Sequence, residues 1–176
     1  MNKREIDIAL KKISQGDNAA FERLYTETKS GVYSFLFSYF DNAADCEDAM
    51  QTTYLKIKQN IGRYQAGSNG LAWILQIAKN TALNEIRAKA NYKKQLSAST
   101  ITETPCCDNY ETKNALITTM KRMLDEEEQR IIILHVIWGY KHKEIAEIIN
   151  SPVGTVTSKY KRAADKLKTA WKEEEQ

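Results

Sequence analysis

The side chains with the clearest chemistry lie near the carboxyl terminus, where residues 151–168 read SPVGTVTSKYKRAADKLK. Between residues 152 and 172, six lysines and arginines stand against one acidic residue, Asp165, although the net charge of the whole chain is only +3. Short hydroxyls near the start of a helix can approach bases or phosphates, and longer cations behind them can reach the bases and the backbone. The pattern predicts a helix that reads the major groove of DNA. The candidate contacts are Thr155, Ser158, Lys159, Lys161, Arg162 and Lys166.

The residues before this helix complete a helix-turn-helix pattern. The segment HKEIAEIIN is amphipathic, with Ile145, Ala146 and Ile149 on its apolar face. Ser151 can cap the next helix, and Pro152 can occupy its first position. A solvated, lysine-rich terminal helix is the alternative interpretation, but the preceding helix and the capped turn favour a helix-turn-helix. The apolar face of the second helix is predicted to contain Val153, Val156, Tyr160, either Ala163 or Ala164, and Leu167.

Composition bounds the fold class. The chain has 176 residues and is 42% hydrophobic, which is enough for a real core, whereas seven glycines and two prolines are few. Long apolar-periodic stretches without strand-like alternation predict an all-α protein. No apolar run is long enough for a membrane span or a signal peptide, so we expect a cytoplasmic protein. Cys46, Cys106 and Cys107 are odd in number, and the adjacent pair cannot easily bridge, so we expect reduced thiols.

The helices fall into two groups separated by a polar stretch. We predict a first domain of four helices at residues 1–92, a linker at 93–113 that contains a proline and lacks apolar periodicity, and a second domain at 114–176. The apolar stripe of the second helix is predicted to comprise Phe21, Leu24, Tyr25, Thr28, Val32, Leu36 and Tyr39. The other predicted limits are an N-cap at Asp17, a third helix opening at Asp41 or Asn42, a fourth from Leu71 to Ala90, and later helices at 115–123, 125–138 and 141–149.

Two further polar groups stand out in the first domain. On the third helix, Asp45, Asp48 and Thr52 share a face that points away from the apolar side. Between the third and fourth helices, the sequence RYQAGSNG at residues 63–70 is polar and contains glycine, which is typical of a mobile or functional loop.

Both halves of the chain resemble one protein family. GYKHKEIAEIINSPVGTVTSKYKRA closely resembles the promoter-binding region 4 of bacterial sigma-70 family sigma factors of the extracytoplasmic-function (ECF) group, and LDEEEQRIIILHVIWG resembles the lead-in helix of that region. Upstream, DNAAFERLYTETKSGVYSFL, DCEDAMQTTYLKI and LAWILQIAKNTALNEIR are similar, in the same order, to region 2. The resemblance implies two small helical domains joined by a flexible linker. It also implies a sigma factor that directs promoter recognition, melting and transcription initiation, with a stress or envelope regulon.

The resemblance implies a surface for core RNA polymerase. The family's DxEDxxQ helix contacts the clamp helices of the polymerase β′ subunit, and region 4 contacts the β flap. An acidic, amide-bearing face would complement a basic coiled coil. Glu47 lies off the face that Asp45 and Asp48 share, so an ordinary solvated carboxylate also explains it. The implied polymerase contacts are Asp45, Glu47, Asp48 and Gln51.

The resemblance further implies that the loop at residues 63–70 and the helix after it capture unpaired bases of the minus-ten promoter element. Exposing a flipped base costs a few kcal/mol, which stacking or hydrogen bonds must offset. Tyr64 and Gln65 could supply such contacts, although a loop aromatic often only anchors its loop. Trp73 matches a family tryptophan that belongs to the core or supports a wedge. The implied minus-ten contacts are Arg63, Tyr64, Gln65, Lys79, Asn80, Asn84 and Arg87.

The chain departs from the family pattern in two places. Residues 69–72 read NGLA where many relatives have Phe or Ser followed by Arg and Thr, which leaves the base preference of the loop open. Thr157 and Lys159 occupy positions that are often arginine in the family. Lysine cannot make the bidentate fork that arginine makes to guanine, so binding is expected to rest more on phosphates.

The partners implied by the resemblance are core RNA polymerase, promoter DNA and a cognate anti-sigma factor, which in this group is usually held at the membrane. No small-molecule substrate, cofactor, metal or catalytic residue is implied. A conventional helix-turn-helix repressor or activator would also explain residues 124–168, but it would leave the first domain to a sensory or dimerisation role. A sigma factor differs from such a regulator because it needs core polymerase to act.

The residues give less support to an enzymatic function. His135 and His142 are the only histidines, and they form neither a metal-ligand nor a triad pattern. We expect His135 to pack within its helix and His142 to lie at the surface. Cys106 and Cys107 lack the four spaced ligands of a metal site. The DEEE run at residues 125–128 is expected to act only as a favourable helix start.

Overall fold

The computed structural model describes residues 1–40, 42–96 and 115–174. Within these ranges every regular element is helical and there is no strand, which confirms the predicted all-α fold class. No described helix is both long and apolar enough to cross a membrane.

The chain divides into two compact units, Met1–Cys107 and Asp108–Gln176. Most of the predicted linker lies outside the described residues, so the predicted domain limits stay predictions. Asp41, Cys106 and Cys107 also lie outside the described residues.

Four helices build the first unit: α1 (Lys3–Ser14), α2 (Asn18–Phe37), α3 (Ala43–Asn60) and α4 (Gly70–Leu96), with a 3-10 turn at Ile61–Arg63. Polar side chains set the first three starts, because an N-cap oxygen satisfies an amide that has no partner within its helix. Asn2 accepts the amide of Glu5 at 2.9 Å. As predicted, Asp17 caps α2 by accepting the amide of Ala20 at 3.0 Å, and α3 opens at Asn42.

The core of the first unit lies between its four helices. Thr28 is a polar residue at its centre, and its hydroxyl donates to Leu24 O at 2.6 Å and lies 2.7 Å from the hydroxyl of Tyr54. Both hydroxyls therefore have partners, so their burial leaves no unsatisfied hydrogen bond. Of the predicted stripe on α2, the buried members are Leu24, Thr28, Val32 and Leu36, and the half-buried members are Phe21, Tyr25 and Tyr39.

Helix α4 is longer than predicted, because it continues past Ala90 to Leu96. The segment NYKKQL has no apolar periodicity, but it also contains no glycine or proline to break a helix. The helix therefore continues beyond the end of its apolar stripe.

The second unit contains α5 (Ala115–Met123), α6 (Glu126–Ile132), α7 (His142–Ile149) and α8 (Val153–Glu174). The helix predicted at residues 125–138 is an α-helix that widens into a π turn at Ile133–Ile137. The most deeply buried side chains in the second unit include Ile131, Ile133, Tyr140, Ile145, Val156 and Ala163.

The turn between α7 and α8 differs from the predicted one. Asn150 adopts a left-handed conformation (φ 58°) and ends α7, with the amide of Ser151 donating to Ala146 O at 2.9 Å. The predicted capping role of Ser151 is wrong, because α8 begins at Val153 and Ser151 lies two residues before it; its hydroxyl donates to Glu127 Oε1 at 3.1 Å.

Two predictions at the start of α8 are also wrong. Pro152 stands just before the first helical residue, where its carbonyl accepts the amide of Val156 at 3.0 Å. Val153 is 45% exposed instead of buried. Because each residue turns a helix by about 100°, Val153 lies about 60° to one side of Val156, at the open end of the helix.

Candidate functional site

Helix α8 carries the predicted DNA contacts on the sides that are not packed. It buries Val156, Ala163 and Leu167 in the core of the second unit. All six candidate contacts lie outside that core. The exposed ones are Thr155, Ser158, Lys161 and Arg162, and the half-buried ones are Lys159 and Lys166.

Carboxylates at the start of α6 contact three of these cations. Lys159 Nζ donates to Glu127 Oε2 at 2.9 Å. Arg162 Nε donates to Glu128 Oε1, and Lys166 Nζ donates to Oε2 of the same carboxylate at 2.8 Å. We call the carboxylates that face α8 the acidic cluster; they are Asp125, Glu127 and Glu128.

Glu128 is the central member of the acidic cluster, because its side chain is fully buried (0% exposed). Its carboxylate also accepts the amide of Asp125 at 3.1 Å, while its own amide donates to Asp125 Oδ1 at 2.8 Å, which closes a capping box. Burial alone would raise the pKa of Glu128, but hydrogen bonds from Lys166, Arg162 and the Asp125 amide lower it to about 2. Glu128 is therefore charged at neutral pH.

The expectation that the DEEE run acts only as a helix start is wrong, because it also binds α8. The pKa of Glu127, like that of Glu128, lies below its ordinary value, because Lys159 donates a hydrogen bond to its carboxylate. The sequence does contain a sign of this contact. Glu128 occupies the same helix face as Ile131 and Ile132, so it was placed for burial and needed partners.

The ion pairs change which cations are available to DNA. Lys159 and Lys166 are engaged and half-buried, whereas Arg162 is engaged through Nε but remains 56% exposed. Lys161 is exposed and makes no ion pair with any described residue. The predicted contacts therefore divide into an oriented set, which the acidic cluster holds, and an exposed set without ion pairs to described residues, which comprises Thr155, Lys161 and Ser158, whose hydroxyl donates to Gly154 O at 2.9 Å.

His142 is not the plain surface residue that was predicted. It is half-buried, its ring centroid lies 5.1 Å from that of His135 and 4.8 Å from that of Tyr160, and its Nδ1 lies 3.2 Å from Thr157 Oγ1. His135 packs as predicted, with its Nδ1 2.8 Å from Tyr140 O. Tyr160 supplies an aromatic ring that packs against both imidazoles, which draws His142 inward.

On α3, the predicted polymerase contacts differ in their surroundings. Asp48 and Gln51 are exposed, and Glu47 is half-buried. Asp45 is also half-buried and pairs with Lys89 of α4. Its carboxylate accepts a hydrogen bond at 2.8 Å from the side-chain amide of Asn42, the N-cap residue of α3. Burial would raise the pKa of Asp45, but these two donors lower it below its ordinary value. Asp45 thus joins α3 to α4, while Asp48 and Gln51 face solvent.

Glu85 of α4 adds to the acidic face of α3. Burial raises the pKa of Glu85, Lys56 opposes the shift, and the carboxylates of Asp48 and Asp45 add to it. Sequence analysis missed Glu85 because the residue lies on the helix assigned to DNA, and only tertiary packing brings it to α3.

The loop at residues 63–70 is held from within the first unit. Tyr64 is only 9% exposed, its ring centroid lies 5.2 Å from that of Trp73, and its hydroxyl donates to Asp7 Oδ1 of α1. Burial and the bond to Asp7 raise the pKa of Tyr64 to about 12. Arg63 and Gln65 are exposed. Sequence analysis missed Asp7, which lies far from the loop along the chain.

Three of the remaining minus-ten candidates, Asn80, Asn84 and Arg87, follow Gln76 along one face of α4 at successive spacings of four, four and three residues, and Lys79 borders this face beside Asn80. Gln76 Nε2 donates to Asn80 Oδ1 at 2.9 Å, so the amides are ordered along the helix. Of these candidates, Lys79 is half-buried, and Asn80, Asn84 and Arg87 are exposed.

No three histidine, cysteine or acidic side chains of the described residues are grouped so that they could hold a metal ion. Cys46 is buried in the first unit, and its thiol donates to Tyr33 O at 3.5 Å. It packs as a small apolar residue would.

Two family models match the chain. Residues 24–92 match the model for sigma-70 region 2, and residues 114–167 match the model for sigma-70 region 4. Together the two matches span well over half of the chain, in the order that the resemblance implied.

Curated relatives match along nearly the whole chain. The ECF RNA polymerase sigma-E factor of Haemophilus influenzae is 27% identical over 176 residues, covering 90% of this chain and 90% of the relative. RNA polymerase sigma factor CarQ of Myxococcus xanthus is 24% identical over 163 residues, covering 90% and 93% of the two chains.

Solved structures share the fold. CnrH, solved in complex with the cytosolic domain of CnrY, matches with a TM-score of 0.66 at 18% identity, covering 96% of this chain and 97% of that one. The sigma factor RpoE of Bartonella quintana, solved in complex with the anti-sigma factor NepR, matches with a TM-score of 0.67 at 20% identity, covering 86% and 96%.

Replacing Glu128 by glutamine should destabilise the contact between α6 and α8. A hydrogen bond to a charged group contributes about 1.5–3 kcal/mol, and the partial exposure of the two cations weakens it, so we expect a loss of about 1–2 kcal/mol. Native-state hydrogen exchange of α6 and α8 amides at pH 7 measures this free energy in the full chain. Glu126→Gln is the matched control, because Glu126 is exposed and, among the residues that the structure describes, its one ion pair is with Arg130, one turn away. Equal losses in the two variants would contradict the central role of Glu128.

The contribution of Glu128 should also depend on pH. Because its folded pKa is depressed to about 2, the carboxylate stabilises the fold fully above its ordinary pKa of 4.5. That contribution should fall as the pH drops from 4.5 toward about 2. The difference in exchange free energy between wild type and Glu128→Gln should therefore shrink over that range, and a constant difference would contradict the assignment.

Proposed function

This chain belongs to the sigma-70 family of RNA polymerase sigma factors, in its ECF group, and we propose that it binds core RNA polymerase and directs promoter recognition, promoter melting and transcription initiation. One observation carries the proposal. The region 2 match covers α2–α4 with the acidic face and the polar loop, and the region 4 match covers the helix-turn-helix.

In the proposed function, α8 enters the major groove of the minus-thirty-five element. Thr155 and Ser158, near the start of the helix, are exposed where they can approach bases or phosphates, and Lys161 supplies a free cation. Arg162 is held at Nε by Glu128, so the direction of its guanidinium is set before DNA arrives. Orienting a cation in advance reduces the side-chain entropy lost on binding.

The first unit is proposed to open and hold the minus-ten element. The exposed loop residues, with the amide-bearing face of α4, offer hydrogen-bonding groups to unpaired bases. Arg87 and Lys79 on the same helix can contact the phosphates. The low exposure of Tyr64 supports an anchoring role for that residue in place of direct stacking on a base.

The acidic face of α3 is proposed to contact the β′ clamp helices, with the second unit contacting the β flap. Asp48 and Gln51 are its exposed members, and Glu85 adds a neighbouring carboxylate. Complementary charge favours correct encounter and register more than it adds affinity. Asp45 contributes mainly by fixing α3 against α4.

Regulation by a cognate anti-sigma factor is part of the proposal. It is supported by the likeness to RpoE, which was solved with the anti-sigma factor NepR. Such a partner would act by covering surfaces that polymerase needs. In this proposal the chain works in the cytoplasm with polymerase and catalyses no reaction, because polymerase makes the phosphodiester bonds.

In vitro transcription on a fragmented genomic template, with purified core polymerase and with or without this protein, tests the proposed function. New specific starts that depend on the protein are expected, and aligning them would reveal both promoter elements. An absence of new starts, together with sequence-specific duplex binding by the protein alone, would favour a conventional helix-turn-helix regulator.

Reversing the charge at Asp48 should weaken binding to core polymerase. We expect Asp48→Lys to raise the dissociation constant at least tenfold, because a like charge then faces the basic coiled coil. Titration of labelled protein with core polymerase measures the change. Glu22→Lys is the matched control, since it makes the same charge reversal at an exposed residue of a different helix, α2. Unchanged affinity of Asp48→Lys would remove the contact.

The free cation and the held cation of α8 should respond differently to mutation. Lys161→Ala should weaken holoenzyme binding to promoter DNA and lower the slope of log K against log salt by about 0.9, the value for one phosphate contact. Lys168→Ala is the control, because Lys168 is also exposed but lies farther from the start of α8.

Arg162→Ala should weaken promoter binding and also speed hydrogen exchange in α6, because Glu128 loses a donor. Equal transcription by wild type and Arg162→Ala from matched promoters would contradict the assignment of Arg162.

A further inference from the structure

The minus-ten loop is held by a residue outside the region 2 match. Asp7 lies on α1, and the match begins only at residue 24. Its Oδ1 accepts hydrogen bonds from the hydroxyl of Tyr64 and, at 3.0 Å, from the amide of Gly67. One carboxylate oxygen therefore joins α1 to two points of the loop.

The loop also packs tightly on α1 where α4 begins. A Cβ atom at Gly70 would lie 2.8 Å from Leu10 Cδ1, 3.0 Å from the Tyr64 hydroxyl and 3.3 Å from Ile6 Cγ2, so no larger side chain fits without movement. Gly67 has a φ of +86°, a conformation that glycine adopts readily and that directs its amide to Asp7. Both halves of the loop thus depend on the surface of α1.

This packing divides the loop into a buried anchor and an exposed surface. Tyr64 is buried between Asp7 and Trp73 and is the anchor. The exposed surface, which we call the loop tip, is the segment of residues 65–69. Asn69 is exposed, and its side chain accepts the amide of Ala72 at 3.1 Å, so the end of the tip is tied to the start of α4.

We propose that Asp7 is a positioning residue for minus-ten recognition, and that α1 is the platform on which the loop tip is preformed to hold an unpaired base. The inference rests on the proposed function. Asp7 acts through Tyr64 and Gly67 and does not itself touch DNA. A loop that is ordered before binding loses less conformational entropy when the base enters. Release of the loop lowers the fraction of molecules that are ready to bind, and the apparent affinity falls by that fraction.

The experiment compares Asp7→Ala, Asp7→Asn and Lys11→Ala in the full chain assembled with core polymerase. The probe is a single-stranded oligonucleotide that carries the minus-ten sequence found from the mapped starts. Asp7→Ala loses both hydrogen bonds, so we expect its affinity for the strand to fall about tenfold, the change for roughly 1.4 kcal/mol. Asp7→Asn keeps an acceptor oxygen and should recover part of the affinity. Lys11→Ala changes an exposed residue of the same helix and should match wild type.

A second readout separates positioning from general destabilisation. With Asp7→Ala, affinity for core polymerase and for a minus-thirty-five duplex should stay within twofold of wild type, while discrimination between minus-ten base variants should narrow. Tyr64→Phe, which removes only the hydroxyl, should also lower the affinity for the strand, and it replaces Asp7→Ala in the experiment if that variant does not fold.

Unchanged strand affinity in these variants, with faster exchange of the Gly67 amide, would overturn the proposal. Equal losses for polymerase, duplex and strand would also overturn it. Failure of the wild-type holoenzyme to bind the strand would instead contradict the proposed function itself.

Discussion

The buried carboxylate of Glu128 is the contact on which the geometry of the second unit depends. A charged group without exposure would be costly to bury alone, and here a backbone amide and two cations of α8 compensate for the lost hydration. The same carboxylate completes the cap of α6, so the start of one helix and the side of another are fixed by one group. Since the partners include Arg162 and Lys166, the orientation of α8, the helix proposed to face DNA, and the direction of its cations are set together.

The first unit contains a similar long-range carboxylate contact, which is made by Asp7. Asp7 on α1 holds the loop between α3 and α4, as Glu128 on α6 holds the side chains of α8. In both cases a carboxylate from a helix that does not face DNA in the proposed function fixes groups that do. Asp45, which pairs with Lys89, links α3 to α4 in a similar way. Long-range carboxylate contacts therefore supply order where the polar surfaces contribute little packing of their own.

Local patterns predicted the elements well, but contacts between distant residues were not predictable. Helical periodicity identified the helices and most of the buried residues, because burial on one face leaves a repeat in the sequence. The caps at Asp17 and Asn42 were predictable because the capping atom and its amide lie within one turn. The candidate site residues were identified by residue type and by resemblance, but the ion pairs and hydrogen bonds that they make within the protein were not predicted. Asp7, Glu85 and Glu128 lie far along the chain from the groups they affect. The misplaced cap at Ser151 has a local origin, because α8 begins one residue later than its sequence pattern predicts.

In the proposed function, the paired cations affect how α8 would distinguish DNA sequences. By composition the helix is strongly basic, which suggests tight and unspecific attraction to phosphates. In the structure the acidic cluster offsets much of that charge, so non-specific attraction is weaker than the lysine and arginine count implies. The offset does not weaken contacts to base edges in the same proportion, because hydrogen bonds to bases depend on placement more than on net charge. A helix with fewer free charges and better-fixed donors loses more affinity for random DNA than for a matched site. The acidic cluster therefore favours specificity over affinity.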